Sequence, residues 1–142
     1  LRVDFPGGWA GDEIDLFTAE GREAQTYNTD GLKVEKGQAA DLFNYVSRLF
    51  QWRKTADVIH NGKTMHFMTR DNTYAYFRYN DEAAVFVYIN NTLEDKNIPW
   101  SYYSEITEGL CEGADVLTGE PVEISDATVV APKTALVVEF NR

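Results

Sequence analysis

The sequence runs to 142 residues, of which 44% are hydrophobic and 13% aromatic, enough for a packed core of about one domain. Its formal net charge of −10 disfavours phosphate backbones and anionic membrane surfaces, which attract clustered Lys and Arg, so no nucleic-acid partner is expected. The single cysteine, Cys111, excludes an internal disulfide, and no Cys/His spacing suggests zinc.

In chain order, residues 1–36 come first, rich in Gly, Asp, Glu and Thr, with apolar residues at no sustained period. This reads as a long loop, a length usually tied to function. Within it Gly7 and Gly8, between Pro6 and Trp9, allow turn conformations and close approach of another surface, while Asp4, Trp9 and Asp12 supply carboxylates and an aromatic plate. Ala39, Leu42, Phe43, Val46, Leu49 and Phe50 then recur at helical spacing, with Asp41 near the start and Arg48, Arg53 and Lys54 towards the end, as the helix dipole favours. One amphipathic helix is expected here.

After residue 57 the period switches to two. Lys63 to Met68, Thr73 to Tyr79 and Ala83 to Asn90 are rich in Thr, Tyr, Phe and Val and are separated by polar turn clusters, predicting a three-stranded meander. The most apolar of these runs, Ala83 to Ile89, stops at Asn90-Asn91, far short of the roughly 20 residues that span a bilayer, so no membrane span is expected. Further strands are expected at Tyr102–Ile106, Ala114–Leu117, Pro121–Ile124, Thr128–Val130 and Ala135–Phe140, with Thr118-Gly119-Glu120 turning a hairpin. The fold class predicted is mainly β, an antiparallel β-sandwich preceded by a loop and a helix.

The segment Asp4-Phe5-Pro6-Gly7-Gly8-Trp9-Ala10-Gly11-Asp12 resembles the loop after the eighth barrel strand in the neopullulanase and cyclomaltodextrinase branch of glycoside hydrolase family 13, the α-amylase superfamily. Trp52-Arg53-Lys54 with Val58-Ile59-His60-Asn61-Gly62-Lys63, Tyr76-Phe77-Arg78-Tyr79, and Asp115-Val116-Leu117-Thr118-Gly119 are also similar to this branch. The resemblance implies that residues 1–56 are the eighth loop and helix of a (β/α)8 barrel and that residues 57–142 are the C-terminal sandwich. The chain opens without Met, and the resemblance implies the tail of a larger enzyme acting on α-1,4 and α-1,6 glucosidic bonds of maltodextrin, cyclodextrin or pullulan. The nucleophile, the acid and the sugar-gripping Asp of such an enzyme are implied to lie upstream, so no catalytic residue is expected here.

Asp4, Phe5 and Trp9 are the candidate substrate-binding residues, because barrel loops at the strand C-termini build the active site and an indole can lie against a glucose ring, with anchoring of the loop on the barrel rim by Phe5 and Trp9 as the competing reading. Asp12, Glu13 and Asp15 read as solvated surface. No metal or cofactor is expected in this segment; calcium is conceivable in the parent enzyme, but the spacing of a calcium loop is absent. The expected partners are α-glucan, through the parent enzyme, the catalytic barrel in cis, and a second copy of this chain against the apolar helix face, with folding back on the sandwich as the other cover; the expected compartment is the periplasm or the exterior, with the cytoplasm as the alternative. His60 and His66 read as packed or strand-end residues, and Cys111 as a buried or half-buried structural thiol. Strand alternation sets Tyr74 and Tyr76 opposite Ala75, Phe77 and Tyr79, so that one set forms the core. Trp100 beside Tyr102 and Tyr103 is the best site for an exposed sugar platform, with core packing as the competing reading. An independent glucan-binding or purely structural sandwich is the alternative for the chain as a whole.

Overall fold

The computed structural model describes residues 38–125 and 128–142, with side chains from Asn44 onward. The predicted leader loop, including Asp4, Phe5 and Trp9, lies outside the described residues. The chain divides into two compact units, Leu1–Gln51 and Trp52–Arg142. In the described part of the first unit, the expected helix α1 (Gln38–Thr55) is present and runs four residues into the second. On it Val46 and Leu49 are half-buried and Phe50 is exposed.

In the second unit, α1 is followed by a short helix, α2 (Asp57–Asn61), that the change of period to two conceals. The meander follows as expected: β1 (Lys63–His66), β2 (Thr73–Tyr79) and β3 (Ala83–Asn90) pair antiparallel in sequence. Asp71 and Asn72 both take positive φ, the geometry of a tight turn whose twist suits a hairpin, and Asn and Asp tolerate it better than most residues. The other strands are β4 (Lys96–Asn97), β5 (Glu112–Asp115), β6 (Pro121–Glu123), β7 (Val129–Val130) and β8 (Thr134–Asn141). Six of them form one antiparallel sheet in the order β1-β2-β3-β8-β5-β6, and β4 pairs with β7 in a second, two-stranded sheet. The result is mainly β and sandwich-like. Gly119, at φ +76, makes the β5–β6 hairpin turn where the sequence places it.

One expected strand is replaced. Tyr102–Ile106 is helical: a 3-10 turn at Trp100–Tyr103 leads directly into α3 (Ser104–Thr107). Trp100, Tyr103 and Ile106, each 4% exposed, lie three residues apart and all reach the core, a spacing a helical turn satisfies and a strand does not. Trp100 is therefore no exposed platform. Its indole donates to Thr128 Oγ1 at 3.0 Å, and its ring packs on Phe86 and Phe140. Cys111 is likewise corrected: it is exposed, just ahead of β5.

The main core fills the sheet face made by Ala75, Phe77, Ala84, Phe86, Tyr88, Val138 and Phe140, beneath Ile98, Trp100, Tyr103, Ile106 and Val130. Alternation thus selects Ala75 and Phe77 as the buried set and leaves Tyr74 and Tyr76 half-buried on the opposite face. Asn90 is 0% exposed and fully paired: its amide donates to the carbonyls of Glu94, Val130 and Ala131, while its Oδ1 accepts from Thr92 N and Oγ1. It fastens the end of β3 to the segments carrying β4 and β7.

Candidate functional site: the helix–sheet junction

Three of the stretches singled out in the sequence, scattered between Trp52 and Gly119, meet on the second sheet face. Val58, Val85 and Val137 are buried there, with Trp52, Ile59, Ala83, Val87 and Val116 packed around them. The reason is local. Val58 and Ile59 lie on α2, which turns the chain back onto β2 and β3, while Val85, Val87 and Val137 take the strand positions that alternate away from the main core.

Polar contacts fix this apolar patch. The Trp52 indole donates to Glu139 Oε2 at 2.8 Å, tying the last turns of α1 to β8 across 87 residues. From β2, Arg78 donates through Nη2 to the carbonyl of Ile59 and through Nη1 to Thr64 Oγ1, both at 2.7 Å. Its Nε is buried without a partner among the described residues. Asp57 accepts from Asn61 at 2.6 Å and from Asn80 at 3.3 Å, and Asn80 Oδ1 caps the β2–β3 turn through the amides of Glu82 and Ala83.

Gly62 completes the junction. A Cβ there would sit 2.3 Å from the Val58 carbonyl oxygen and 2.9 Å from that of Tyr79, so the passage from α2 into β1 admits no side chain. Its amide donates to Val58 O at 3.0 Å and closes the helix.

The remaining sequence candidates are placed as follows. His60 lies exposed near the end of α2 with Nε2 3.0 Å from the Arg53 carbonyl, not packed or at a strand end as expected, whereas His66 ends β1 and bonds the Tyr74 hydroxyl beside Tyr76. Among the described residues no group of His, Cys, Asp and Glu is arranged to hold a metal, and no helix is long and apolar enough to cross a membrane. The contacts at the junction join helix to sheet, and among its described residues no nucleophile–base pair is arranged. Arg78 and α2 were not legible as parts of it: five residues are too short for helical periodicity, and an Arg within a strand reads as solvated.

Residues 64–139 match the family model described as the cyclomaltodextrinase C-terminal domain. Among solved structures, the chain resembles a noncanonic maltogenic α-amylase, AmyB, from Thermotoga neapolitana, with 17% identity and a TM-score of 0.60 over 82% of this chain and 32% of that one. An α-amylase from Anoxybacillus gives 17% and 0.58 over 79% and 27%, and AmyP in complex with maltose gives 21% and 0.60 over 79% and 23%. These likenesses show a shared fold, and the chain spans between about a quarter and a third of the length of those proteins. With more than half of its residues inside the matched range and an antiparallel sheet covering that range, this chain belongs to the family of cyclomaltodextrinase C-terminal domains.

Proposed function

We propose that the chain is the C-terminal portion of an α-glucan-degrading glycoside hydrolase, in which residues 1–56 complete a catalytic barrel and residues 57–142 brace it. The substrates are maltodextrin, cyclodextrin or pullulan, cut at α-1,4 or α-1,6 bonds by carboxylates outside this segment. Asp4, Phe5 and Trp9 help to shape the substrate cleft. The enzyme works in the periplasm or outside the cell. The observation that supports the bracing role is the Trp52–Glu139 bond above a buried Val58/Val85/Val137 cluster, which ties the last residues of the helix to the sheet.

The test uses the full-length enzyme. Trp52→Ala removes a large apolar side chain and a charge-assisted hydrogen bond, and should cost about 3–5 kcal/mol. If the domain braces the barrel, activity on maltodextrin is lost at a lower temperature, in step with a single unfolding transition, while KM at low temperature is unchanged. A C-terminal domain that melts in its own transition, with barrel activity outlasting it, overturns the bracing role. The substrate role of the loop is read separately: Trp9→Ala should raise KM or shift product length by about 1–3 kcal/mol of binding. Unchanged kinetics with reduced thermal stability would make Trp9 an anchor only. The 142-residue chain by itself should release no reducing sugar.

A further inference from the structure

The sheet face that carries the junction is ruled into cross-strand rows, because antiparallel register sets residues of one face side by side. One row runs Thr64, Arg78, Val85, Glu139; the next runs His66, Tyr76, Val87, Val137; the third runs Tyr74, Ile89, Ala135. Residues 52–61 cover these rows unevenly. In the first row Glu139 bonds Trp52, Arg78 bonds the Ile59 carbonyl and Val85 packs in the buried cluster, and in the second Val87 and Val137 belong to that same cluster. Exposure then rises from row to row, with Val85 at 0%, Val137 at 6% and Ile89 at 37%. Tyr74, Tyr76, Val87 and Ala135 are half-buried and His66 is exposed. The apolar surface therefore outruns its cover.

Towards the β1 edge the uncovered rows end in three ordered rings. His66 Nδ1 and the Tyr74 hydroxyl are bonded at 2.5 Å, with ring centroids 6.2 Å apart and planes 16° apart. A centroid separation close to the bond plus the two ring radii sets the rings edge to edge in nearly one plane. Tyr76 leans against both, its centroid 5.8 Å from that of Tyr74 and 5.9 Å from that of His66. Side chains already fixed by one another lose little freedom when something settles on them, and a phenol suits a contact that is apolar on one side and wet on the other.

Two observations choose the occupant. The uncovered rows continue without a break from a surface that protein already covers, and contiguous apolar surface of that kind marks a contact. The existing cover, residues 52–61, is also where the chain enters this unit, so whatever precedes it in a longer chain is tethered at the border of the bare rows, at an effective concentration that a free partner lacks. This chain covers between 23% and 32% of the three structural relatives, so a protein of their length holds most of its residues outside it.

We propose that the rows formed by His66, Tyr74, Tyr76, Val87, Ile89 and Ala135 seat the part of the parent enzyme's catalytic barrel that precedes residue 1. The inference rests on the reading of this chain as the C-terminal portion of a barrel enzyme, and adds the surface through which the brace acts.

The experiment is hydroxyl-radical footprinting, read by mass spectrometry, of the full-length enzyme beside the 142-residue chain. Tyr74, Tyr76 and Ile89 should be modified at least fivefold more slowly in the full-length enzyme, while Val129, 52% exposed on the second sheet, reacts alike in both. Within the full-length enzyme, Ile89→Glu should speed modification of Tyr74 at least threefold, since a carboxylate in an apolar contact is desolvated without a partner; this arm does not depend on the shorter chain folding by itself. Equal rates in the two proteins overturn the proposal, as does an Ile89→Glu enzyme that protects Tyr74 as wild type does. Protection that vanishes on dilution makes a second copy the cover, and protection that appears only with maltotetraose makes the rings a sugar platform; either result overturns it too. An enzyme that unfolds in one transition yet leaves Tyr74 and Ile89 fully reactive keeps the bracing role and loses this surface alone, whereas failure of the bracing role shows as two separate transitions.

Discussion

Replacing Asn90 by Ala should be the most damaging single polar substitution in the β module, and the geometry gives its size. The amide carries two N–H donors facing carbonyls at 2.8, 2.9 and 3.0 Å, and Oδ1 accepts two hydrogen bonds at 3.0 and 2.7 Å. At about 1 kcal/mol net per bond, and with no more than two donors in use at once, losing four bonds costs about 4 kcal/mol. Water reaching the part-exposed carbonyls of Glu94 and Ala131 offsets some of this, while the buried Val130 carbonyl stays unpaired, leaving about 3–4 kcal/mol. Against a domain stability of about 5–15 kcal/mol that is a large share. In urea unfolding followed by Trp fluorescence, with a slope of about 1–3 kcal/mol per molar, the midpoint should fall by about 2 M at unchanged slope. Asn90→Asp keeps the shape but turns a carboxylate towards three carbonyl oxygens, so it should be at least as harmful at pH 7. That carboxyl is harder to ionise folded than unfolded, where it titrates near 3.9, so the protonated form is favoured in the fold and the defect should shrink as pH falls towards 4. A loss below about 1 kcal/mol for Asn90→Ala, or Asn90→Asp as stable as wild type at pH 7, would refute the reasoning.

Gly62→Ala forces a Cβ against two backbone carbonyls and should cost about 2–3 kcal/mol, whereas Gly119→Ala meets only a positive φ with open space around it and should cost about 1 kcal/mol; equal losses in urea would show that close approach is not what Gly62 provides. Tyr103, whose hydroxyl is raised to about 12, stabilises the fold fully below the unfolded phenol value near 10, and that contribution is lost as pH rises through 10 to 12; Tyr103→Phe should flatten the fall of stability in that window, and an unaltered slope would contradict it. On α1, where Phe50 is 57% exposed beside half-buried Leu49, a second copy of the chain is the proposed cover; light scattering should find a dimer that Leu49→Asp weakens, and a wild-type monomer at high concentration would remove the proposal.

What could be read in the sequence divides along physical lines. The β2 alternation separated Tyr74 and Tyr76 from Ala75 and Phe77, but it did not say which set is buried, since both carry rings able to pack. Tyr102–Ile106 was misassigned because aromatic and β-branched residues favour strands, and that propensity masked the spacing of three from Trp100 through Tyr103 to Ile106. The exposed Cys111 shows the limit of burial preferences by residue type: its position ahead of an edge hairpin decides its exposure. The insertion of β8 between β3 and β5 was not legible, because pairing across some fifty residues leaves no local pattern. The junction was half visible, in that its chain segments stood out while the bonds joining them, from Trp52 to Glu139 and from Arg78 to Ile59, depend on contacts no spacing reveals.

The same two strands serve the main core and the junction without mixing them. Ala75, Phe77, Phe86 and Tyr88 alternate towards the main core, whereas Arg78, Val85 and Val87 alternate towards the junction. A slip of one residue would exchange the two sets, so the register is held from both sides at once. Chemical independence follows, because Tyr103 and Trp52 lie over opposite faces and share no partner. Substitutions of well-separated residues add within about 0.3–0.5 kcal/mol, so Tyr103→Phe and Trp52→Phe combined should destabilise the 142-residue chain by the sum of their separate effects. A coupling above about 1 kcal/mol in that cycle would mean that strain crosses the sheet, and the main core and the junction would then have to be treated as one packing unit.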